Sequence, residues 1–337
     1  MSTSQKDFSD QVERFKTDAA LFKQTLGKAI VGQPQLISDL FTAILSGGHV
    51  LLEGLPGLGK THLSKVIASA LGITLARVQC TPDLMPSDIT GSEILITRPE
   101  SIEQSFEFRH GPIFSSLVLV DEINRASPKT QAALLEAMQE NQVTHAGKSY
   151  ALPKPFWILA TQNPIELEGT YPLPEAQLDR FLFKLKVDFP SGESLTQLID
   201  LTLDEHPADK ITTVLSHNRI QEMMTLCKEV VIASEIKHAA VALILTTHGE
   251  SSDASISASV QQHIRYGASP RGLQAILRAA RVHALCGGRA HVALEDIEAA
   301  ALPALRHRIL LTLESEMTGT DSEQFLKDII STWKHLN

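Results

Sequence analysis

One segment, Gly54–Thr61, restricts the fold of this chain more than any other. It reads GLPGLGKT and matches the pattern G-x-x-x-x-G-K-[ST] in full. Glycines in such a loop let backbone N–H groups turn inward around a phosphate, and the start of the following helix adds a favourable dipole. The mostly apolar run His49–Glu53 precedes the loop and a helical pattern over Lys60–Leu71 follows it. The sequence therefore predicts a phosphate-binding loop between a strand and a helix.

The side chains of this loop have separate predicted roles. Lys60 is expected to reach the β- and γ-phosphates of a nucleotide, and the Thr61 hydroxyl is expected to bind Mg²⁺. His62 comes next and is kept as a nucleotide-binding candidate, although an exposed position on the helix explains it more simply. The other loop residues expected to surround the nucleotide are Gly54, Pro56, Gly57, Leu58 and Gly59.

A strand that ends in two acids completes the predicted site. Leu117–Val120 is continuously apolar, as expected of a strand covered on both faces, and Asp121 and Glu122 follow it. In an open α/β sheet these residues lie at the carboxyl ends of the strands, where ligands bind. Asp121 suits the Mg²⁺ shell, and Glu122 is placed to orient and deprotonate the attacking water. Beside a phosphate loop, this interpretation is stronger than that of an acidic pair that only caps the next helix.

The first half of the chain alternates apolar runs with helical patterns, which is typical of a mainly parallel α/β sheet. The five strand candidates are His49–Glu53, Thr74–Cys80, Leu117–Val120, Phe156–Thr161 and Leu182–Asp188. After a turn cluster at 189–192, the sequence reads entirely as helix. The helices predicted there are Ser191–Ser216, Asn218–Glu229, Ser234–Thr247, Pro270–Cys286 and Leu294–Leu305. We therefore expect an N-terminal helical segment at 1–29, an α/β nucleotide-binding domain with a five-stranded sheet at 30–190, and an all-α lid domain at 191–337.

Composition limits the classes of protein to consider. The net charge of −9 argues against a nucleic-acid binder, whose affinity comes mainly from cations set against phosphates. The stretch 1–20 lacks the apolar region of a signal peptide, and no run approaches the roughly 18 apolar residues that cross a bilayer. The three cysteines lie far apart in the sequence. We therefore expect a reduced, cytoplasmic protein without membrane insertion.

Taken together, these motifs resemble those of the AAA+ ATPases, and in detail they resemble the MoxR family. The resemblance runs from about residue 30 to residue 310. The matching segments are Ile30–Gln33, Gly54–Thr61, Thr81–Gly91, Asp121–Ala126, Leu134–Glu140, Ala160–Pro164, Glu175–Phe181 and Ser269–Arg271. A phosphate loop alone would indicate only a superfamily, whereas this ordered set is far more specific.

The resemblance implies roles that spacing alone does not give. Asn163 corresponds to the sensor-1 residue that detects the γ-phosphate, and Arg271 corresponds to sensor 2, which serves either its own nucleotide or that of a neighbour. Arg180 matches the arginine finger that acts on ATP held by the neighbouring subunit. A solvated arginine beside the carboxylate of Asp179 is the alternative for this position. The residues that match adenine contacts are Val31 and Gly32.

Two insertions fit the same family. Residues 91–110 alternate polar and apolar side chains around Arg98–Ser101 and resemble the helix-2 insert, whereas residues 142–152 resemble the pre-sensor-1 insert. Each is expected to form a hairpin. In related families these hairpins face the ring centre or the partner, and two ordinary surface hairpins are the alternative.

The resemblance implies Mg²⁺-dependent ATP hydrolysis by a homo-oligomeric ring, a hexamer, that remodels or activates a client protein. A von Willebrand factor A domain protein is one such partner. The motor subunit of a metal chelatase has similar motifs and stays an alternative. A nucleic-acid motor of the helicase kind is less favoured, because the chain is acidic and the hairpin at 142–152 has a single lysine. A nucleotide-binding module without hydrolysis is disfavoured by the intact Glu122, Asn163 and Arg180.

Overall fold

A computed structural model describes residues 3–97, 104–165, 169–202 and 211–336 of the chain. The strands are β1 (Val50–Gly54), β2 (Leu75–Gln79), β3 (Gly91–Thr97), β4 (Gln104–His110), β5 (Leu117–Asp121), β6 (Gln142–His145), β7 (Lys148–Ala151), β8 (Trp157–Gln162), β9 (Phe183–Val187), β10 (Ile264–Tyr266) and β11 (Leu310–Leu311). The helices are α1 (Thr3–Gly27), α2 (Pro34–Leu45), α3 (Lys60–Leu71), α4 (Pro86–Thr90), α5 (Pro128–Glu140), α6 (Glu175–Leu178), α7 (Gly192–Thr202), α8 (His217–Glu229), α9 (Ser234–Thr246), α10 (Ala254–His263), α11 (Pro270–Cys286), α12 (Leu294–Leu305), α13 (Leu313–Met317) and α14 (Ser322–Leu336).

Five strands form one sheet in the order β2–β5–β8–β1–β9, and every neighbouring pair is parallel. Each of these strands coincides with a predicted run to within one residue at either end, and the predicted α/β class is confirmed. Because all five strands point the same way, their last residues share one edge of the sheet, here called the carboxyl edge. This edge carries Gly54, Asp121 and Gln162, and the opposite one, the amino edge, carries Val50 and Phe183.

The side chains of β5 alternate between two cores. Leu117 and Leu119 belong to a hydrophobic cluster on one face of the sheet, whereas Val118 and Val120 belong to a cluster on the other. All four are buried, which explains why this strand has no polar residue before Asp121. The first cluster continues into α1, α2 and α3 and into the C-terminal helices α8, α9, α11, α12 and α14. The sheet and the C-terminal helices are therefore joined by continuous apolar packing.

Helix α1 fills most of the segment predicted to be helical at 1–29. Its residues Phe15 and Phe22 are buried, and Phe22 packs against Phe41 of α2 with ring centroids 5.0 Å apart. Asp18 of α1 accepts a hydrogen bond from Arg219 of α8 at 2.7 Å. This helix thus contacts both α2, in the first half of the chain, and the C-terminal helix α8.

Both predicted insertions contain antiparallel hairpins. β3 pairs with β4 and β6 pairs with β7, whereas the segment Arg98–Ser101 lies outside the described residues. The two hairpins contact each other through aromatic side chains, since Phe108 stacks on Tyr150 with centroids 4.3 Å apart and lies 5.1 Å from the ring of His145. The two hairpins are therefore joined to each other by these ring contacts.

The C-terminal region is mostly helical, as predicted, and differs from the prediction in detail. The helix expected at Ser191–Ser216 is α7, which is described as far as Thr202, and residues 211–216 are not helical. The strands β10 and β11 form a small antiparallel sheet inside the region expected to be all helix. Two or three residues are too few for an alternating pattern to be visible in the sequence. Among the described helices, none combines the length and apolar character that crossing a membrane requires.

Helix α14 offers a direct test of the shared core. Trp333 is 1% exposed, and its indole N–H donates to the carbonyl of Ala239 in α9 at 2.7 Å. We expect Trp333→Ala to lower the free energy of unfolding by about 3–5 kcal/mol, because a large cavity would remain and the hydrogen bond to Ala239 would be lost. Urea titration followed by circular dichroism measures the change. Leu336→Ala, in the same helix at a side chain 47% exposed, should change it by less than about 0.5 kcal/mol, and equal losses in the two variants would contradict the packing described.

Candidate nucleotide-binding site

The phosphate loop connects β1 to α3 at the carboxyl edge. Gly57 and Gly59 have φ angles of 81° and 76°, in the left-handed region that favours glycine, and Gly59 is the residue before the first turn of α3. Lys60 is buried, and its ammonium group donates to the carbonyl of Gly54 at 2.7 Å. The lysine thus lies across the mouth of its own loop, where the phosphates of a nucleotide would compete for the same hydrogen-bond donor.

Asp121 is the centre of a hydrogen-bond network at the same edge. Its carboxylate accepts from Thr161 at 2.6 Å, from Thr61 at 3.3 Å and from Arg77 at 2.8 Å. Burial disfavours the charged form of this group, but the hydrogen bonds from Thr161, Arg77 and Thr61 and the positive charge of Arg77 together outweigh it, so the pKa of Asp121 lies below its ordinary value. The network therefore keeps a negatively charged carboxylate beside the Thr61 hydroxyl.

Glu122 adopts a backbone conformation that few non-glycine residues adopt. Its φ and ψ angles are 57° and 53°, and its N–H donates to the Thr161 hydroxyl at 2.8 Å. Its Oε2 atom accepts from Gln79 at 3.1 Å and from Arg125 at 3.0 Å. The left-handed turn and these two donors fix the direction in which the carboxylate extends from the end of β5.

Asn163 follows β8, which lies between β1 and β5 in the sheet. It is 4% exposed, and its side-chain oxygen accepts from the backbone N–H of Ile165 at 3.2 Å. The parallel register pairs Val120 with Ala160, so Asn163 lies at the same edge as Glu122. The structure therefore places Lys60, Thr61, Asp121, Glu122 and Asn163 around one edge.

Gly32, one of the two residues predicted to contact adenine, lies against α7. Gly32 has a φ of 75°, and a Cβ atom built on it would lie 2.4 Å from the Ser194 hydroxyl of α7, so glycine is required there by conformation and by space. His62 contacts the carbonyl of Ala29 at 3.3 Å through Nε2. This contact joins α3 to the backbone of the segment before Val31.

Arg180 and Arg271 lie at the amino edge, away from the phosphate loop of their own chain. Leu182 donates from its N–H to the carbonyl of His49 at 2.8 Å, which places the turn that carries Arg180 beside the start of β1. Four steps along β1, about 13 Å, separate that end from Gly54. Arg271 reaches the same region, with its guanidinium 3.6 Å from the Asp179 carboxylate.

A cavity of about 360 Å³, here called the amino-edge cavity, opens between these residues. Among the described residues its lining contains one acid, Asp179, and the arginines Arg180, Arg271, Arg278 and Arg308. Asp179 is engaged by Ser269 at 2.8 Å and by Arg308 at 2.7 Å, and the Nε atom of Arg180 is buried without a hydrogen-bond partner in the described part of the chain. Arg180 is therefore not simply the ion-pair partner of its neighbour, and the cavity suits an anion.

Several residues of this arrangement were missed by sequence reasoning. Thr161 was assigned only to the end of a strand, yet it bridges Asp121 and the N–H of Glu122. Its position opposite Asp121 follows from the parallel register of β5 and β8, which the sequence does not fix. Arg77 and Gln79 of β2 carry no motif, and only the pairing of Gln79 with Asp121 brings them to the acids.

Comparisons with known proteins agree with this geometry. A family model for the ATPase family associated with various cellular activities (AAA) matches residues 49–183, and a model for the AAA lid domain matches residues 256–329. The first match contains the phosphate loop, both hairpins and most of the sheet, and the second runs from α10 into α14.

Relatives of similar length occur in several bacteria. Uncharacterized protein YeaC of Bacillus subtilis is 40% identical over 92% of this chain and 92% of its own length. Chaperone MoxR1 of Mycobacterium tuberculosis is 38% identical over 90% of this chain and 79% of its own. Protein MoxR of Methylorubrum extorquens is 33% identical over 93% of this chain and 92% of its own.

A crystal structure of a presumed ATPase from Cytophaga hutchinsonii has the same fold. It superimposes with a TM-score of 0.88 at 34% sequence identity and covers 98% of both chains. These similarities extend over the sheet, the phosphate loop and the C-terminal helices. The chain belongs to the MoxR family of AAA+ ATPases.

Proposed function

We propose that this chain hydrolyses ATP with Mg²⁺ in a homo-oligomeric ring, a hexamer, whose active sites lie between neighbouring subunits and which remodels or activates a partner protein. The observation that carries the proposal is the separation of the polar groups. The phosphate loop, Asp121 and Glu122 lie at one edge of the sheet, and Arg180 and Arg271 lie at the other.

The residues at the carboxyl edge fit a magnesium nucleotide. The Thr61 hydroxyl and the Asp121 carboxylate are hard oxygen donors 3.3 Å apart, and Mg²⁺ in nucleotide sites is held by one or two such groups together with phosphate oxygens and water. When bound, the ion neutralises charge on the phosphates. Lys60 is then expected to leave the carbonyl of Gly54 and to donate to the β- and γ-phosphates.

Glu122 is the candidate base for the attacking water. Gln79 and Arg125 orient its carboxylate, and Asn163 lies at the same edge to hold the water from a second side. In this role Glu122 accepts the water proton as the water oxygen bonds to the γ-phosphorus and the bond to the β-phosphate oxygen breaks. The reaction products are ADP and phosphate.

The amino-edge cavity supplies the other half of each site. Arg271, Gln274 and Arg278 follow the i, i+3, i+7 spacing of one helical face on α11, and all three line the cavity together with Arg180. Charge spreads over the γ-phosphate oxygens during transfer, so cations set against them stabilise the transition state. Because the two edges face opposite ways, Arg180 and Arg271 would serve the nucleotide of the adjacent subunit, in a head-to-tail contact that closes into a ring.

A protein client fits this family member better than a nucleic acid. The net charge is −9, and two similar proteins are named as a chaperone and as MoxR. The joined hairpins present apolar side chains to solvent, since Leu95 and Phe106 are cross-strand neighbours that are 50% and 72% exposed. These side chains suit contact with a client, for which a separate von Willebrand factor A domain protein is our candidate.

We place the reaction in the cytoplasm, where the free thiols of the three cysteines would stay reduced.

Replacement of the base tests the chemistry. We expect Glu122→Gln to retain ATP binding and to lower the rate of phosphate release by about 10²- to 10⁴-fold, because the amide cannot accept the water proton. The measurements are binding of a fluorescent ATP analogue and a phosphate-release assay. Glu136→Gln, at an exposed position of α5, is the matched control and should keep the parental rate. Retained hydrolysis in Glu122→Gln would remove Glu122 from this role.

Mixing of two inactive variants tests the seam between subunits. Lys60→Ala lacks the phosphate contact but keeps Arg180, whereas Arg180→Ala lacks the finger but keeps the phosphate loop. Each variant should be nearly inactive alone. In an equal mixture that forms rings at random, about a quarter of the subunit interfaces should pair an intact phosphate loop with an intact Arg180 and so recover activity. Arg265→Ala, which removes an exposed arginine outside the cavity lining, should be active without mixing. No recovery in the mixture, with both variants assembled, would contradict the shared active site.

A further inference from the structure

Arg308, just after α12, is the most deeply buried arginine of the amino-edge cavity. Its side chain is 3% exposed. Burial lowers the pKa of its guanidinium below the ordinary value, and the adjacent Asp179 carboxylate opposes that shift. Removing an arginine from water is costly unless its donors find partners in the protein. The contacts of this side chain therefore identify what the buried charge holds in place.

Within the described part of the chain, every hydrogen bond of the Arg308 guanidinium but one falls on the turn before β9. Nε donates to the Asp179 carboxylate at 2.7 Å, and Nη2 donates to the carbonyls of Asp179 at 2.8 Å and Phe181 at 2.6 Å. Nη1 donates to the carbonyl of Leu182 at 3.1 Å and to that of Ala304 in α12. The guanidinium thus bonds the backbone on both sides of Arg180 and leaves the Arg180 side chain to the cavity.

Neighbouring groups strengthen the same attachment. His307 contacts the carbonyl of Phe181 at 3.1 Å through Nε2, and burial lowers the pKa of its imidazole well below the ordinary value, so a neutral ring donates this bond. The Ser269 hydroxyl, before α11, donates to the Asp179 carboxylate at 2.8 Å. The end of α12 and the start of α11 are therefore both bonded to the turn that carries Arg180.

We propose that Arg308 is a positioning residue that fixes the direction of Arg180, so that the lid helices of one subunit control hydrolysis in the active site of its neighbour. This inference rests on the shared active site proposed above. Arg308 is then needed for ATP hydrolysis in the subunit that donates Arg180, and is not needed in the subunit that holds the ATP. A residue needed only for folding would be required equally in both subunits.

The mixing experiment separates the two roles. Lys60→Ala restores activity to Arg180→Ala if the shared site is correct. With Arg308→Met added to the Lys60→Ala subunit, the recovered ATPase rate should fall at least tenfold. With Arg308→Met added instead to the Arg180→Ala subunit, the recovered rate should stay within about twofold, because that subunit supplies only its phosphate loop. Equal rates in the two arrangements, whether both high or both low, would overturn the proposal.

A matched control and a milder variant complete the design. Arg219→Met removes another largely buried arginine, 13% exposed and paired with Asp18 and Glu222. When it is added to the Lys60→Ala subunit, the recovered ATPase rate should stay unchanged. If Arg308→Met subunits do not enter rings, Arg308→Lys decides, since lysine keeps the charge but cannot reach the carboxylate and four carbonyls at once. With Arg308→Lys in the Lys60→Ala subunit, the recovered ATPase rate should fall at least threefold. With Arg308→Lys in the Arg180→Ala subunit, the recovered rate should not change. An unchanged rate in the first of these two mixtures would contradict the proposal, whereas failure of the Lys60→Ala and Arg180→Ala mixture itself would reject the shared site.

Discussion

The parallel hydrogen bonding of β1, β5 and β8 determines where each polar group of the site can lie. In a parallel sheet, whatever follows one strand is placed beside whatever follows the next, so the phosphate loop, the acids and Asn163 meet without any contact between their sequence segments. The same geometry sends the turn that precedes β9 to the opposite edge. The common direction of the strands thus gives the chain two different polar edges, one with the phosphate loop and the two acids and one with an excess of arginine.

Charge at the carboxyl edge is held by short hydrogen bonds rather than by exposure to water. Thr161 is fully buried, yet its hydroxyl satisfies Asp121 and the strained N–H of Glu122 together. Such a network favours the ionised carboxylate despite burial, because each donor bonds the charged form. At the arginine-rich edge a buried positive charge is stabilised in the same way, since the guanidinium of Arg308 is buried and donates all its hydrogen bonds to oxygen acceptors.

The sequence was sufficient to predict the parts of the structure that depend on residues close together in the chain. Strand positions followed from apolar runs, because β1 and β5 are covered on both faces, and the phosphate loop followed from its glycines and lysine. Thr161, Gln79 and Arg308 could not be found in this way, since each acts through a partner more than 35 residues away. Short strands such as β10 and β11 are fixed by their pairing with each other, which leaves no periodic trace in two or three residues. Resemblance gave Arg180 a role, and the fold shows which edge of the molecule presents it.

The hydrophobic cluster that joins the sheet to the C-terminal helices limits how this protein can move. A hinge rotation of the C-terminal helices away from the sheet would expose buried side chains of α11, α12 and α14. Each large side chain exposed would cost roughly 1.5–3 kcal/mol of free energy. Sliding of packed helices by about 1–2 Å leaves that burial intact, and is the shear type of motion. Since Arg308 bonds the end of α12 to the turn of Arg180, a shear displacement of α12 would also displace Arg180. In the ring proposed above, such a displacement would reach the active site of one neighbouring subunit and not that of the other, so the motion would be transmitted in one direction.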